Sequence, residues 1–132
     1  MERRTVTTGT EWESTVGYAR AVEYGDTVHV SGTTATDEGE VIATGDPYGQ
    51  AHRALENIEA ALAETSATIE DVVRTRLYVT DIDDWEEIGR AHGEVFGKIQ
   101  PATTMVETSR LIHPEMLVEI EAVAIVSSGS VR

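Results

Sequence analysis

Two carboxylates stand two residues apart inside an apolar run, Leu117-Val-Glu-Ile-Glu-Ala-Val-Ala-Ile125. In a strand, residues two apart leave the same face, about 7 Å from each other. Burying either is costly unless a donor or cation meets it, so Glu119 and Glu121 mark a solvent-facing strand or a site. Glu119 has the chemistry to orient or deprotonate a water in a partly desolvated cleft. The plainer role is a carboxylate hydrogen-bonded across a sheet. Glu121 shares its face and has more claim to a structural or interface role.

Other candidates surround this pair in type rather than in spacing. Thr103 and Thr104, after Pro101-Ala102, offer hydroxyls to a ligand, although β-branched residues also simply suit a strand. Tyr18 brings a ring and a phenol, and Arg20 lies on the same side of its strand. Arg74, Arg76 and Arg110 are further cations, for which solvation or ion pairing is the default. His29, His52, His92 and His113 are scattered with no i, i+4 pair, so no metal site is expected. Five carboxylates crowd Asp81 to Glu87, without the glycine and ligand spacing of a calcium loop. Gly17 and Gly32 suit turns or close packing, since no dinucleotide or P-loop spacing exists and no cofactor is expected.

The elements that must position these residues follow from periodicity. Arg3 to Thr8, Tyr18 to Glu23 and Thr27 to Ser31 read as strands, the last two joined at Tyr24-Gly25-Asp26. The region of Gly39 and Gly45-Asp46-Pro47 reads as loop. Ala51, Ala54, Leu55, Ile58, Ala61 and Leu62 form one face of a helix over 48–64, with Asp46 as N-cap and Pro47 in its first turn. Val72 to Thr80 is a strand whose alternation places Val73, Thr75, Leu77 and Val79 together. A second helix runs from about 83 to 98 with Trp85, Ile88, His92, Val95 and Phe96 in one stripe. Strands near 103–108 and 117–126 complete the order β-β-β-α-β-α-β-β. Both helices then cover one face of a mixed sheet. The last strand is apolar on both sides, with Leu117, Val123 and Ile125 opposite Val118, Ile120, Ala122 and Ala124. A partner subunit is therefore expected over the open face.

Composition bounds the rest. A chain of 132 residues suits one domain. No segment is apolar enough for a bilayer helix or a signal peptide, and zero cysteines exclude disulfides and thiolate chemistry. A cytoplasmic protein is expected. The 24 acidic and 10 basic residues give a net charge of −14, and Lys98 is the single lysine. Such a surface suits life in high salt, where ions screen self-repulsion, and it disfavours nucleic-acid binding.

Gly17-Tyr18, Val30-Ser31-Gly32, Ala54-Leu55-Glu56-Asn57-Ile58, Asp71-Val72-Val73-Arg74, Thr80-Asp81-Ile82, and Pro101-Ala102 leading through Val106-Glu107 to Glu119-Ile120-Glu121-Ala122 occur in this order. In that order they resemble the Rid superfamily (YjgF/RidA/UK114-like proteins) from about Val16 to Ile125. The resemblance implies a chorismate-mutase-like α+β fold and a homotrimer with small-molecule clefts between subunits. Its best-known members hydrolyse enamines and imines such as 2-aminoacrylate. It also implies that Tyr18 and Glu119 line the cleft, and that Glu119 positions water. Ser31, Gly32, Thr103, Thr104, Met105 and Arg20 are the expected substrate contacts. Active members carry an arginine after Pro-Ala for the substrate carboxylate; here Thr103 stands there and cannot supply a fixed charge or a two-pronged contact. Met105 replaces a residue that is often cysteine. The expectation is a metabolite-binding trimer outside the arginine-bearing deaminase group, hydrolysing an imine-like compound. A deaminase that manages without the arginine and a non-catalytic ligand sensor are the alternatives. The ribonuclease label of the family conflicts with the charge.

Overall fold

The structure, a computed structural model, describes residues 1–127. β1 (Arg3–Val6), β2 (Ala21–Tyr24) and β3 (Thr27–Thr33) form an antiparallel meander. Gly25 adopts a φ of +62° in the β2–β3 turn, a region that glycine enters without steric cost. Between β1 and β2 lies a short helix that periodicity did not reveal, α1 (Glu11–Val16). Thr10 caps it by accepting from the Glu13 N–H, and Gly17 closes it in the left-handed conformation. Because α1 occupies this stretch, β2 begins at Ala21, and Tyr18 and Arg20 lie in the segment leading into the strand. The Arg20 N–H still donates to the Val6 carbonyl at 2.7 Å.

The expected loop near Gly39 holds a small hairpin, β4 (Thr36–Asp37) and β5 (Glu40–Val41). Then comes α2 (Pro47–Leu62), whose N-cap Asp46 accepts from the Gly49 N–H. All six residues of its anticipated apolar face are buried. β6 (Val72–Val79), α3 (Trp85–Phe96), β7 (Ala102–Glu107) and β8 (Val118–Ile125) follow.

One sheet of six strands runs β1-β2-β3-β8-β6-β7, with β7 parallel to β6 and every other pair antiparallel. The fold is thus α+β with a mixed sheet, as the element order implies. The final strand sits at the centre, and Thr103 lies on the edge strand β7. Val118, Ile120, Ala122 and Ala124 are at most 2% exposed and face Leu55, Ile58, Ile88 and Phe96 of the two long helices in one core. Each Val, Leu, Ile or Phe among them contributes about 1.5–3 kcal/mol through burial, and each alanine methyl about 0.8 kcal/mol.

Two details of the anticipated faces are corrected. Val73 is exposed and Val72 takes its place in the core, because the β6–β8 register slips between Val72 and Arg74. That irregularity shifts the strand's alternation by one residue at its start. In α3, Trp85 remains exposed at the first position while Ala91 joins Ile88 and Phe96 in the core. The opposite sheet face has no cover among the described residues, and Tyr24, Val106 and Ile125 are 43–52% exposed there.

Candidate functional site

The first group of candidates gathers on the open sheet face. Ser31 ties the segment before β2 to β3: its N–H donates to the Arg20 carbonyl at 3.0 Å and its hydroxyl to the Ala19 carbonyl at 2.7 Å. Its side chain is thereby committed to the backbone. Arg20 Nη2 donates to the Gly32 carbonyl at 2.9 Å, and its Cζ lies 5.6 Å from the Tyr18 ring centre. The Nε of Arg20 is buried without a hydrogen-bond partner among the described residues.

Gly32 is what lets Glu119 pack here. A Cβ at position 32 would lie 2.7 Å from both Cδ and Oε2 of Glu119, so the carboxyl would have to shift from its present position. β3 is irregular between Val30 and Thr33, which brings Gly32 against the β8 side chain. Glu119 is half-buried, and no hydrogen bond to it is found among the described residues. Burial raises its carboxyl above the ordinary value, with the neighbouring Glu121 charge adding and Arg20 opposing. Glu121 is different. It accepts from the Tyr78 phenol at 3.0 Å and lies 3.8 Å from Arg76 Nη1. One of the two carboxylates is therefore satisfied structurally, and the other is free.

The second group lies across the sheet. Parallel register pairs Thr75 of β6 with Thr103 of β7, so both side chains point to the helix side. Their hydroxyl oxygens are 2.7 Å apart, and Thr75 Oγ1 is 2.9 Å from His92 Nε2 of α3. Thr103 Oγ1 also lies 3.2 Å from the Pro101 carbonyl oxygen. The His92 ring packs on Phe96 at 4.6 Å between centres, and burial lowers its pKa below the usual histidine value. Met105 is on this side too, half-buried against the core. Thr104 points to the open face, where its hydroxyl accepts from Arg74 Nη2 at 2.8 Å.

One chain therefore brings Tyr18, Arg20, Ser31 and Gly32 to Glu119, but not Thr103 or Met105. These sit on the opposite face, with β6 between their strand and β8. Thr75 escaped the sequence reading, although a hydroxyl among Leu77 and Val79 on one alternating face was its signal. A cavity of about 820 Å³ opens elsewhere, between α1, the β4–β5 hairpin and α2, and Arg20 is the one nominated residue on its wall. Among the described residues no cluster of three or more His, Cys, Asp or Glu is placed to hold a metal, and no helix is long and apolar enough to cross a membrane.

Similarity to known proteins covers the same stretch. The sequence profile of the Endoribonuclease L-PSP family matches residues 8–126. An uncharacterised protein of Streptomyces coelicolor is 40% identical over 121 residues, 92% of this chain and 90% of that one. A RutC family protein of Pyrococcus abyssi is 37% identical over 109 residues, covering 81% of this chain and 84% of its own length. A crystal structure from Mycobacterium tuberculosis, of a YjgF/YER057c/UK114 family member, superposes with a TM-score of 0.87 at 50% identity, covering 95% of this chain and 100% of that one. The Escherichia coli YjgF product has a TM-score of 0.78 at 27% identity, over 92% of this chain and 98% of its own. With this match over nearly its whole length, and with the sheet and helices described above, the chain belongs to the YjgF/RutC (Rid) family.

Proposed function

We propose that the protein is a homotrimer that binds a small metabolite in clefts between subunits, where Glu119 holds the water that hydrolyses an imine-like bond. The observation that carries this reading is Glu119 itself, a half-buried carboxylate with a raised pKa and no side-chain hydrogen bond, its carboxyl packed directly on Gly32. A carboxylate kept this way is a cost to folding with no structural return, which is the signature of a group retained for chemistry. The division of the candidates supports the assembly. Thr103 and Glu119 meet only if the β7 edge of one copy approaches the open face of another, and that face exposes Tyr24, Val106 and Ile125.

In the proposed reaction, Glu119 accepts a proton from water as the oxygen bonds to the C=N carbon. The electron pair of the C=N bond moves to nitrogen, which takes this proton back from Glu119. The carbinolamine then collapses as its hydroxyl proton passes by way of Glu119 to nitrogen and the C–N bond breaks, leaving a carbonyl and ammonia. Arg20 compensates the carboxylate charge from the Gly32 side. The family's ribonuclease name does not fit this chain, because −14 charges and the absence of a basic stripe oppose a polyanion.

The test uses 2-iminopropanoate, generated in place by an amino-acid oxidase and trapped with semicarbazide. Losing a desolvated cation under a carboxylate typically costs about 2–5 kcal/mol, roughly 30- to several-thousand-fold in rate. Wild type is therefore expected to turn over this anion weakly, Thr103→Arg to raise the rate, and Glu119→Ala to abolish it. A wild type as fast as an arginine-bearing relative would show that Thr103 is no deficit. Activity that survives Glu119→Ala would remove the proposed mechanism.

A further inference from the structure

The His92–Thr75–Thr103 chain determines what a ligand at the β7 edge encounters. A hydroxyl has one proton and two lone pairs, and a neutral imidazole offers one donor and one acceptor. Two wirings satisfy both short contacts and give both hydroxyl protons a partner inside the protein. In the first, Thr103 donates to Thr75 at 2.7 Å and Thr75 donates to His92 Nε2 at 2.9 Å. In the second, His92 Nε2–H donates to Thr75, Thr75 to Thr103, and Thr103 to the Pro101 carbonyl at 3.2 Å. Either way the Thr103 proton is used inside the protein. What remains for an outside molecule is at least one lone pair on an exposed oxygen.

Among the described residues no cationic side chain contacts Thr103 to offset this. Thr75 is fully buried, and the nearby guanidinium of Arg74 is engaged with Thr104 on the other face of β7. Burial also keeps His92 neutral near physiological pH. A carboxylate has only acceptors to present. To meet one, Thr103 would have to turn its proton outward and leave the Pro101 carbonyl without it.

We propose that Thr103, held by Thr75 and His92, is a specificity residue that presents a hydrogen-bond acceptor, so that the cleft takes ligands with an N–H donor at this end, such as carboxamides, in preference to carboxylates. This inference rests on the inter-subunit cleft proposed above and names the ligand chemistry at one end of it. It also gives a physical role to a histidine and a threonine that the hydrolysis step does not use.

The experiment compares two nearly isosteric probes, 2-oxopropanamide and 2-oxopropanoate, by NMR titration of the intact protein. Wild type, Thr103→Val and Thr103→Arg are each titrated, with unchanged amide spectra away from β7 as the control for folding. Wild type is expected to bind the amide at least about tenfold more tightly, equivalent to 1.4 kcal/mol. Thr103→Val should bring the two probes to near parity, and Thr103→Arg should reverse the order. Equal or tighter binding of the carboxylate by wild type overturns the inference, as does a preference that survives Thr103→Val. If wild type binds neither probe while Thr103→Arg binds the carboxylate, the cleft stands and the acceptor inference falls. Binding by no form to either probe overturns the cleft reading together with this inference.

Discussion

At residue scale, the two glutamates of β8 differ because their neighbours differ. Glu121 has a phenol and a guanidinium within reach, while Glu119 faces a glycine, its fellow carboxylate and Arg20, whose charge opposes the shift without a hydrogen bond. The raised pKa of Glu119 has a definite sign in stability. Folding favours its protonated form, so the penalty is present in full above the folded pKa and absent below the ordinary value of 4.5. Glu119→Gln is therefore expected to raise the melting temperature near pH 8, with the gain fading as pH falls toward about 4. A gain that is the same at both ends would show that desolvation of the charge is not its source. Gly32 tests the packing directly. Gly32→Ala should destabilise the fold, and Gly32→Ala with Glu119→Ala should recover part of the loss, because contacting sites couple by about 0.5–3 kcal/mol. Purely additive losses in chemical denaturation would mean that the Cβ clash is relieved elsewhere.

At element scale, what the sequence disclosed and what it hid have physical causes. The α2 face was legible because six apolar residues repeat over three turns and an Asp-Pro pair marks the start. β8 was legible because its helix-side residues are all apolar and buried. α1 was not, since six residues with one buried side chain, Glu13, carry no apolar stripe, and only Thr10 and Gly17 signal its ends. Val73 was misplaced because a register slip is a property of two strands together and leaves no trace in the periodicity of one. The site was legible in the same uneven way: Glu119 stood out as a charge in an apolar strand, whereas Thr75 and His92 acquire meaning only once β6, β7 and α3 are in contact. The α2 cap offers a clean check of element energetics. Asp46→Ala removes the acceptor for the Gly49 N–H and is expected to cost about 1 kcal/mol, read from denaturant midpoints. A variant as stable as wild type would mean that Pro47 and the buried face hold the helix start without the cap.

At the scale of the whole molecule, the proposed trimer would couple assembly to charge. The sheet face left open in one chain carries Val22, Val123 and Ile125 together with Arg74, Arg76 and Glu121, so covering it buries apolar surface and brings charges together. A trimer concentrates three copies of a −14 charge, and the repulsion between them grows as salt is withdrawn. The screening distance is about 3 Å at 1 M salt and about 10 Å at 0.1 M, so molar salt silences nearly all of this repulsion while leaving burial of apolar area intact. The few ion pairs found among the described residues work in the opposite direction, since salt weakens them, but exposed pairs are worth only about 0–1 kcal/mol each. Repulsion should dominate. Light scattering in molar salt is expected to give three times the 14.4 kDa chain mass, and the melting temperature should fall as salt is diluted, with dissociation at the lowest concentrations. A 14.4 kDa species in molar salt would remove the trimer and with it the meeting of Thr103 and Glu119. A trimer whose melting temperature is flat from molar to low salt would keep the cleft and discard adaptation to high salt as the reason for the acidic surface.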